Sequence, residues 1–350
     1  MRAIAVKMYS IGNAGQRLRG VLTALRPAGS ATMATHPPPV TDPPDLERAA
    51  AFTPSGTLSE VEQDTLVRET AFFQENGYLV IPGALAGEQL ARVQAAYDRV
   101  TAPFLSAWEP GERSTGKGSH DVPRALEKEE ALLELIEHRR VVPLLSQVVG
   151  EDAQIRQVQT RYTPGNPLAD PTGGTSSGWH RDKPNYHNAA SQQSLWLKVF
   201  YYFYDVADNQ GPTAIVPRTH TSHMHPRDLT PAPLRTKMPG HIKIACKAGT
   251  ALLFDTRTWH CAMPNTSNQP RCCMILNYCH FWHKQFGEVS NGAQRLLAAG
   301  RLESPLRKQL LGLEVMASGM SQSPPGTNQY NGDWVARNER ETGKIRAGAW

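Results

Sequence analysis

Gly178-Trp179-His180-Arg181-Asp182 is the stretch on which the reading of this 350-residue chain turns. On extended backbone, residues i and i+2 project to the same side. His180 and Asp182 therefore face one way and Arg181 the other. His260 follows the strand-like run Ala251–Phe254, and Arg271 comes eleven residues after it. Two imidazoles and one carboxylate on one face of an octahedral ion leave three positions open, which is the 2-His-1-carboxylate iron arrangement. His180, Asp182 and His260 are thus the candidate metal ligands. A lone His-x-Asp is a weak signal; the distant His at a strand end and the Arg beyond it make the pattern specific.

Arg271 adds a second requirement. Its planar guanidinium pairs bidentately with a carboxylate and never loses its charge, so it suits an anionic cosubstrate held by its far end. Pro264-Asn265-Thr266-Ser267-Asn268-Gln269-Pro270 is turn chemistry. A hairpin closed there is expected to return Arg271 beside His260.

Outward from the motif the texture is that of strands. Gln154–Thr163, Ser194–Val206, Thr213–Val216, Ile242–Cys246, Ala251–Phe254 and Cys272–Phe281 are rich in β-branched and aromatic residues. Asp208-Asn209-Gln210-Gly211 reads as a turn. By alternation Trp196, Phe200 and Tyr202 share one face of their strand, as cavity lining or as plain core. The Gly/Pro/Ser-rich residues 164–178 read either as an active-site lid or as a surface loop.

Helices precede the strands. Ser59 and Glu62 form a capping box, with Val61, Leu66, Phe72 and Phe73 as the buried stripe and Gly77 as the stop. Tyr78–Ile81 reads as a strand. Further helices are expected at Glu88–Val100, Glu129–Glu137 and Val141–Val149, with Pro143 in a first turn, and again over residues 298–313. Many short strands behind a helical portion predict a mostly β fold with flanking helices. Its core would be a double-stranded β-helix, the jelly roll of cupin type. One domain is expected over residues 58–318, between an N-terminal segment, 1–57, and a tail, 319–350.

The formal net charge of +5 is carried by Arg2, Lys7, Arg17, Arg19 and Arg26, with no acid before Asp42. The remainder is balanced, so no nucleic-acid footprint is implied. The acid-free start reads as a mitochondrial or plastid transit peptide, or as a non-structural extension before Met33. No apolar run is long enough for a membrane span. All five cysteines lie between Cys246 and Cys279 without a C-x-x-C pair. An odd, clustered set points to reduced, structural thiols. His220, His223 and His225 lack a carboxylate or Cys at metal spacing and read as loop or supporting residues.

The chain resembles the phytanoyl-CoA dioxygenase family of Fe(II)/2-oxoglutarate oxygenases. The resemblance runs through Gly77–Ile81, Gly178–Asp182, Asn209–Thr213, Ile215–His220, Gly249–His260, Arg271 and Tyr278. It implies Fe(II), 2-oxoglutarate and O₂ as reactants, ascorbate as reductant, Arg271 on the far carboxylate and Gln159 as a further cosubstrate contact. It also implies hydroxylation of a small organic or acyl molecule, with succinate and CO₂ released. One departure is Pro217-Arg218-Thr219-His220, where the family has a turn glycine at position 218. The alternatives are a non-catalytic metal- or ligand-binding jelly roll and a zinc hydrolase. The latter needs a general base that is not evident beside the motif.

Overall fold

The computed structural model describes residues 58–105, 119–171, 178–182, 196–222, 224–229 and 237–313. The transit-peptide reading, residue His223, residues 172–177 of the candidate lid and the C-terminal tail lie outside them.

The capping box forms: Ser59 accepts from the Glu62 backbone and the Glu62 carboxylate accepts from the Ser59 N–H. It opens helix α1 (Glu60–Asn76), which Gly77 ends in the left-handed conformation at φ 75. Leu66 and Phe73 are buried as expected, but Val61 is 74% exposed. Val61 lies in the first turn, on the solvent side of the helix. Strand β1 (Tyr78–Ile81) follows, then α2 (Gly87–Leu105), which runs past the expected end at Val100 and accommodates Pro103.

After β2 (His120–Val122) come two short helices, α3 (Ala125–Lys128) and α4 (Glu130–Leu133), and a 3₁₀ turn (Glu134–Glu137). The helix expected at Glu129–Glu137 is thus present from Glu130, with its second half tightened to 3₁₀. α5 (Val142–Val148) carries Pro143 in its first turn. The strands are β3 (Ala153–Thr163), β4 (Trp196–Tyr202), β5 (Thr213–Val216), β6 (Ile242–Ile244), β7 (Ala251–Asp255), β8 (Trp259–Ala262) and β9 (Arg271–His280). Two helices close the described chain, α6 (Gly287–Ala298) and α7 (Pro305–Leu310). They replace the continuous helix expected over 298–313. Gly300, at φ 68, ends the first, and the Ser304 hydroxyl caps the second.

The strands form a six-stranded antiparallel sheet, β1-β7-β4-β9-β3-β2, and a three-stranded one, β6-β5-β8. This is the jelly-roll core, and it has three apolar layers. Alternate residues of the large sheet, among them Leu197, Val199, Tyr201, Leu253, Met274, Leu276 and Tyr278, pack outward under the helices. The intervening Phe200, Tyr202, Leu252, Phe254, Cys273 and Ile275 meet Ile215 and Ile244 between the sheets. Trp179, Ala214, Val216, Trp259 and Cys261 cover the outside of the small sheet. Strands buried on both faces read as continuous apolar runs, which is why β4 and β9 stand out in the sequence.

One expected connection is wrong. β8 pairs with β5 in the small sheet, whereas β9 pairs with β3 and β4 in the large one. The turn at 264–270 thus carries the chain from one sheet to the other instead of closing a hairpin. His260 and Arg271 sit on separate, facing walls.

Candidate metal centre

Residues 178–182 run as an extended edge against β8. His180 and His260 exchange backbone hydrogen bonds of 3.0 and 2.8 Å, and the Asp182 N–H donates to the Thr256 carbonyl at 2.9 Å. The alternation anticipated from sequence is present. Trp179 packs on the outer layer and Arg181 donates to the Ser222 carbonyl. His180 and Asp182 turn inward.

His180, Asp182 and His260 bring their ligand atoms within 4.8 Å of one another. His180 Nε2 is 3.7 Å from one Asp182 oxygen and His260 Nε2 is 3.6 Å from the other. Ligand bonds of about 2.1 Å set neighbouring ligand atoms about 3 Å apart on an octahedral ion, so a small inward movement closes the triad. In both histidines Nδ1 faces a carbonyl two residues back, Gly178 and Thr258, at 2.8 Å. A carbonyl only accepts, so Nδ1 carries the proton and Nε2 keeps its lone pair for a metal. Buried His260 Nε2 has no hydrogen-bond partner among the described residues. An orphaned buried nitrogen aimed at a carboxylate fits a cation between them.

The electrostatics agree with that fit. Burial opposes the charged form of Asp182, but the Lys198 ammonium and the two imidazoles hold its carboxyl at about 2. Burial first, then His180, lowers His260 to about 3, so its ring is neutral at pH 7. An ionised carboxylate and neutral imidazoles are the protonation states that metal binding needs. The Phe254 ring lies 4.7 Å from the His260 ring and walls the site with apolar surface.

Across the barrel, Arg271 is 3% exposed. Its guanidinium donates to the Gly211 carbonyl and, at 3.3 Å, to Thr163 Oγ1, while Nε has no partner. Among the described residues no carboxylate pairs with it. A buried, uncompensated guanidinium is costly and suits an anionic guest. The Tyr202 and Thr213 hydroxyls bond to each other at 2.8 Å near the same end.

Gln159 lies on the inner face, paired with Ile275, but its amide donates to Asp121 at 3.0 Å. Asp121 also pairs with Arg161 at 2.8 Å. The structure thus places Gln159 in a polar cluster with two partners that the sequence reading did not name. Lys198 was missed as well, although its parity with Phe200 and Tyr202 was available to assign it inward. His220 is buried and its Nε2 faces the Gln74 carbonyl at 3.0 Å, so it ties its loop to the end of α1. The five cysteines are free thiols; burial pushes Cys246, Cys272 and Cys279 up to about 12, as inert structural thiols require.

The phytanoyl-CoA dioxygenase (PhyH) family model matches residues 73–273, more than half of the chain and all three candidate ligands. The chain belongs to this family. It is one of iron- and 2-oxoglutarate-dependent oxygenases, and the chain is an enzyme of that class. Among curated relatives, ectoine dioxygenase of Nocardia farcinica is 23% identical over 233 residues, covering 58% of this chain and 74% of its own. An uncharacterized protein of Mycobacterium tuberculosis is 26% identical over 239 residues, covering 67% and 82%. Among solved structures, the non-heme alpha ketoglutarate dependent epimerase SnoN from nogalamycin biosynthesis is 21% identical. That match covers 62% of this chain and 83% of SnoN, with a TM-score of 0.46.

Proposed function

We propose that this PhyH-family enzyme hydroxylates a small organic or acyl substrate. One 2-oxoglutarate and one O₂ would be consumed per turnover, and succinate and CO₂ released. The observation that carries this reading is the placement of His180, Asp182 and His260 on one wall and the uncompensated Arg271 on the other. Bound Fe(II), with 2-oxoglutarate and O₂, supplies the oxidising power. The chain's own residues do the rest. Asp182 and the two Nε2 atoms would hold the ion. Arg271 takes the far carboxylate of the cosubstrate. Phe200, Phe254, Ile215 and Ile275 give the interior an apolar wall, which would keep water from the bound substrate. A zinc hydrolase would need a base at the metal, and the charged group against Asp182 is instead the Lys198 ammonium.

The test is direct. Purified protein with Fe(II) and ascorbate should convert 2-oxoglutarate to succinate, faster when an oxidisable substrate is present. Protein with full iron occupancy that forms no succinate across a broad metabolite panel would refute the proposal.

A further inference from the structure

Two neighbouring amides on the inner wall of the barrel have no partner on the protein. Asn277 lies on β9 with Cys273 and Ile275, which face the space between the sheets, and by alternation its side chain shares their direction. It is 4% exposed, and its Oδ1 has no hydrogen-bond partner among the described residues. Gln157, directly across on β3, is half-buried, and its amide makes no hydrogen bond among the described residues either. Gln159, further along β3, has the same chemistry but already donates to Asp121 at 3.0 Å. On its other side Asn277 is paired with Lys198 of β4, whose ammonium is 2.6 Å from Asp182 Oδ2. The two free amides therefore stand beside the metal centre.

A bulge in β3 puts Gln157 there. Ile155 pairs with Tyr278 and Gln157 with Asn277, so Arg156 is an extra residue in the ladder. A regular ladder would set Arg156 opposite Asn277. In the bulge its guanidinium is held instead between the Trp196 and Phe286 rings, 4.3 Å from each. Bulges next to active sites re-aim side chains in this way. This one places a neutral amide where a second cation would otherwise stand.

The chemistry of the vacant partner follows. Buried polar groups are normally hydrogen-bonded, and an amide offers an acceptor beside a donor. A carboxylate would be repelled by Asn277 Oδ1, and an ammonium by Lys198 on the next strand. A hydroxyl or a carboxamide, itself both donor and acceptor, meets neither obstacle. The rest of this face is apolar, with Phe200 two residues from Lys198 and Ile275 two residues from Asn277. Few polar groups placed in an apolar wall fix the orientation of a ligand.

We infer that Asn277, flanked by Gln157, orients the organic substrate, and that it does so by hydrogen-bonding an uncharged hydroxyl or carboxamide carried on an apolar body. This rests on the dioxygenase reading and names its substrate class. The test uses wild type and Asn277→Leu, both loaded with Mn(II) as a redox-inert stand-in for Fe(II) and with 2-oxoglutarate. Metal content and 2-oxoglutarate affinity are measured by calorimetry. Hexanamide and hexanol are the probes, with hexanoate and hexylamine as charged controls, read by ligand NMR relaxation. Wild type should prefer the two neutral probes. Asn277→Leu should bind them roughly tenfold more weakly, as the loss of one hydrogen bond requires, with metal content and 2-oxoglutarate affinity unchanged. Without probe, Asn277→Leu should unfold at the same temperature as wild type or higher, because an unpartnered amide gives way to an apolar side chain of similar volume. A lower unfolding temperature would make Asn277 a structural residue and overturn the inference. Equal binding of the neutral probes by both proteins, no binding by wild type, or a preference for hexanoate or hexylamine overturns it too. So does an Asn277→Leu defect confined to metal or 2-oxoglutarate binding. Wild type that takes up metal but no 2-oxoglutarate would instead bring down the dioxygenase reading itself.

Discussion

Replacing Arg271 by Met removes the guanidinium while keeping an unbranched side chain of similar reach. Two consequences follow, and they separate cleanly. In the free protein, the Gly211 carbonyl and the Thr163 hydroxyl lose their donor. Each buried loss costs about 1–3 kcal/mol, partly offset because a buried charge without a carboxylate disappears as well. In the bound state, the far carboxylate of 2-oxoglutarate loses two charge-assisted hydrogen bonds of about 1.5–3 kcal/mol each. Together these amount to about 3–6 kcal/mol, or roughly a 10²- to 10⁴-fold weaker complex.

The assay is calorimetric titration of 2-oxoglutarate into anaerobic metal-loaded protein, repeated with pyruvate. Pyruvate keeps the 2-oxo acid end but lacks the far carboxylate. It should bind wild type and Arg271→Met alike, closing a cycle that isolates the Arg271 contact. Arg271→Lys restores the charge without the planar fork and should fall between the two. Metal content should not change, because the triad is on the opposite wall. Were Arg271→Met to bind 2-oxoglutarate within threefold of wild type, or pyruvate to weaken equally, Arg271 would not be the anchor.

Three further outcomes are expected. His260→Ala should abolish stoichiometric metal binding while leaving the far-ultraviolet dichroism unchanged, since the backbone bridge between residues 180 and 260 needs no imidazole; retained metal would show the wrong third ligand. Burial, with help from the Arg140 charge, holds His138 at about 4 against an ordinary 6.5. The unfolded chain therefore takes up that proton first, and stability should fall as pH drops from 6.5 towards 4, by up to about 3 kcal/mol. Urea midpoints for His138→Gln should show a shallower decline over that window, and an identical decline would remove His138 as the cause. Arg218 stands at φ 66, where the family has glycine, and its guanidinium pairs with Glu75. Arg218→Gly relieves about 1 kcal/mol of left-handed strain and loses a surface pair worth about 0–1 kcal/mol; Arg218→Ala keeps the strain and loses the pair. Thermal unfolding should rank Gly above Ala, and the reverse order would deny the strain.

What the sequence made legible was local. The capping box, the Gly77 stop and the His180/Asp182 parity each follow from a few neighbouring residues, and each appears in the structure. The glycine-like conformation of Arg218 follows from a single substitution in a recognisable turn. Errors arose where a partner lies far along the chain. Val61 looked like core because its helix has an apolar stripe, but α1 packs against β1 and α5 and leaves Val61 exposed. Of the helix expected over 298–313 only Pro305–Leu310 forms, because Gly300 turns the chain in the left-handed conformation and the Ser304 cap sets a new start beyond it.

The hairpin error is the most informative, because it decides where two candidate site residues, His260 and Arg271, stand in the barrel. Pro264–Pro270 reports that the chain reverses, but not which strand it reverses onto; that choice is made by side-chain layers built from distant segments. Ile215 pairs with His260 on the small sheet, whereas Thr163 pairs with Arg271 on the large one. Had β8 and β9 formed a hairpin, His260 and Arg271 would sit on one sheet, with no room between them for a cosubstrate. Placed on facing walls, they have the barrel interior between them. The same crossing puts Lys198 opposite the triad, because β4 is β9's neighbour and not β8's. The ammonium of Lys198, on a strand that is otherwise apolar, thereby stands against Asp182. Exchanging Lys198 for an apolar residue should therefore improve the strand's apolar pattern while leaving the buried carboxylate of Asp182 without its cation in the metal-free protein. Lys198→Met should destabilise apo protein more than metal-loaded protein, as read from thermal unfolding with and without Mn(II). An equal loss in both forms would mean that Lys198 is a packing residue and has no electrostatic tie to the centre.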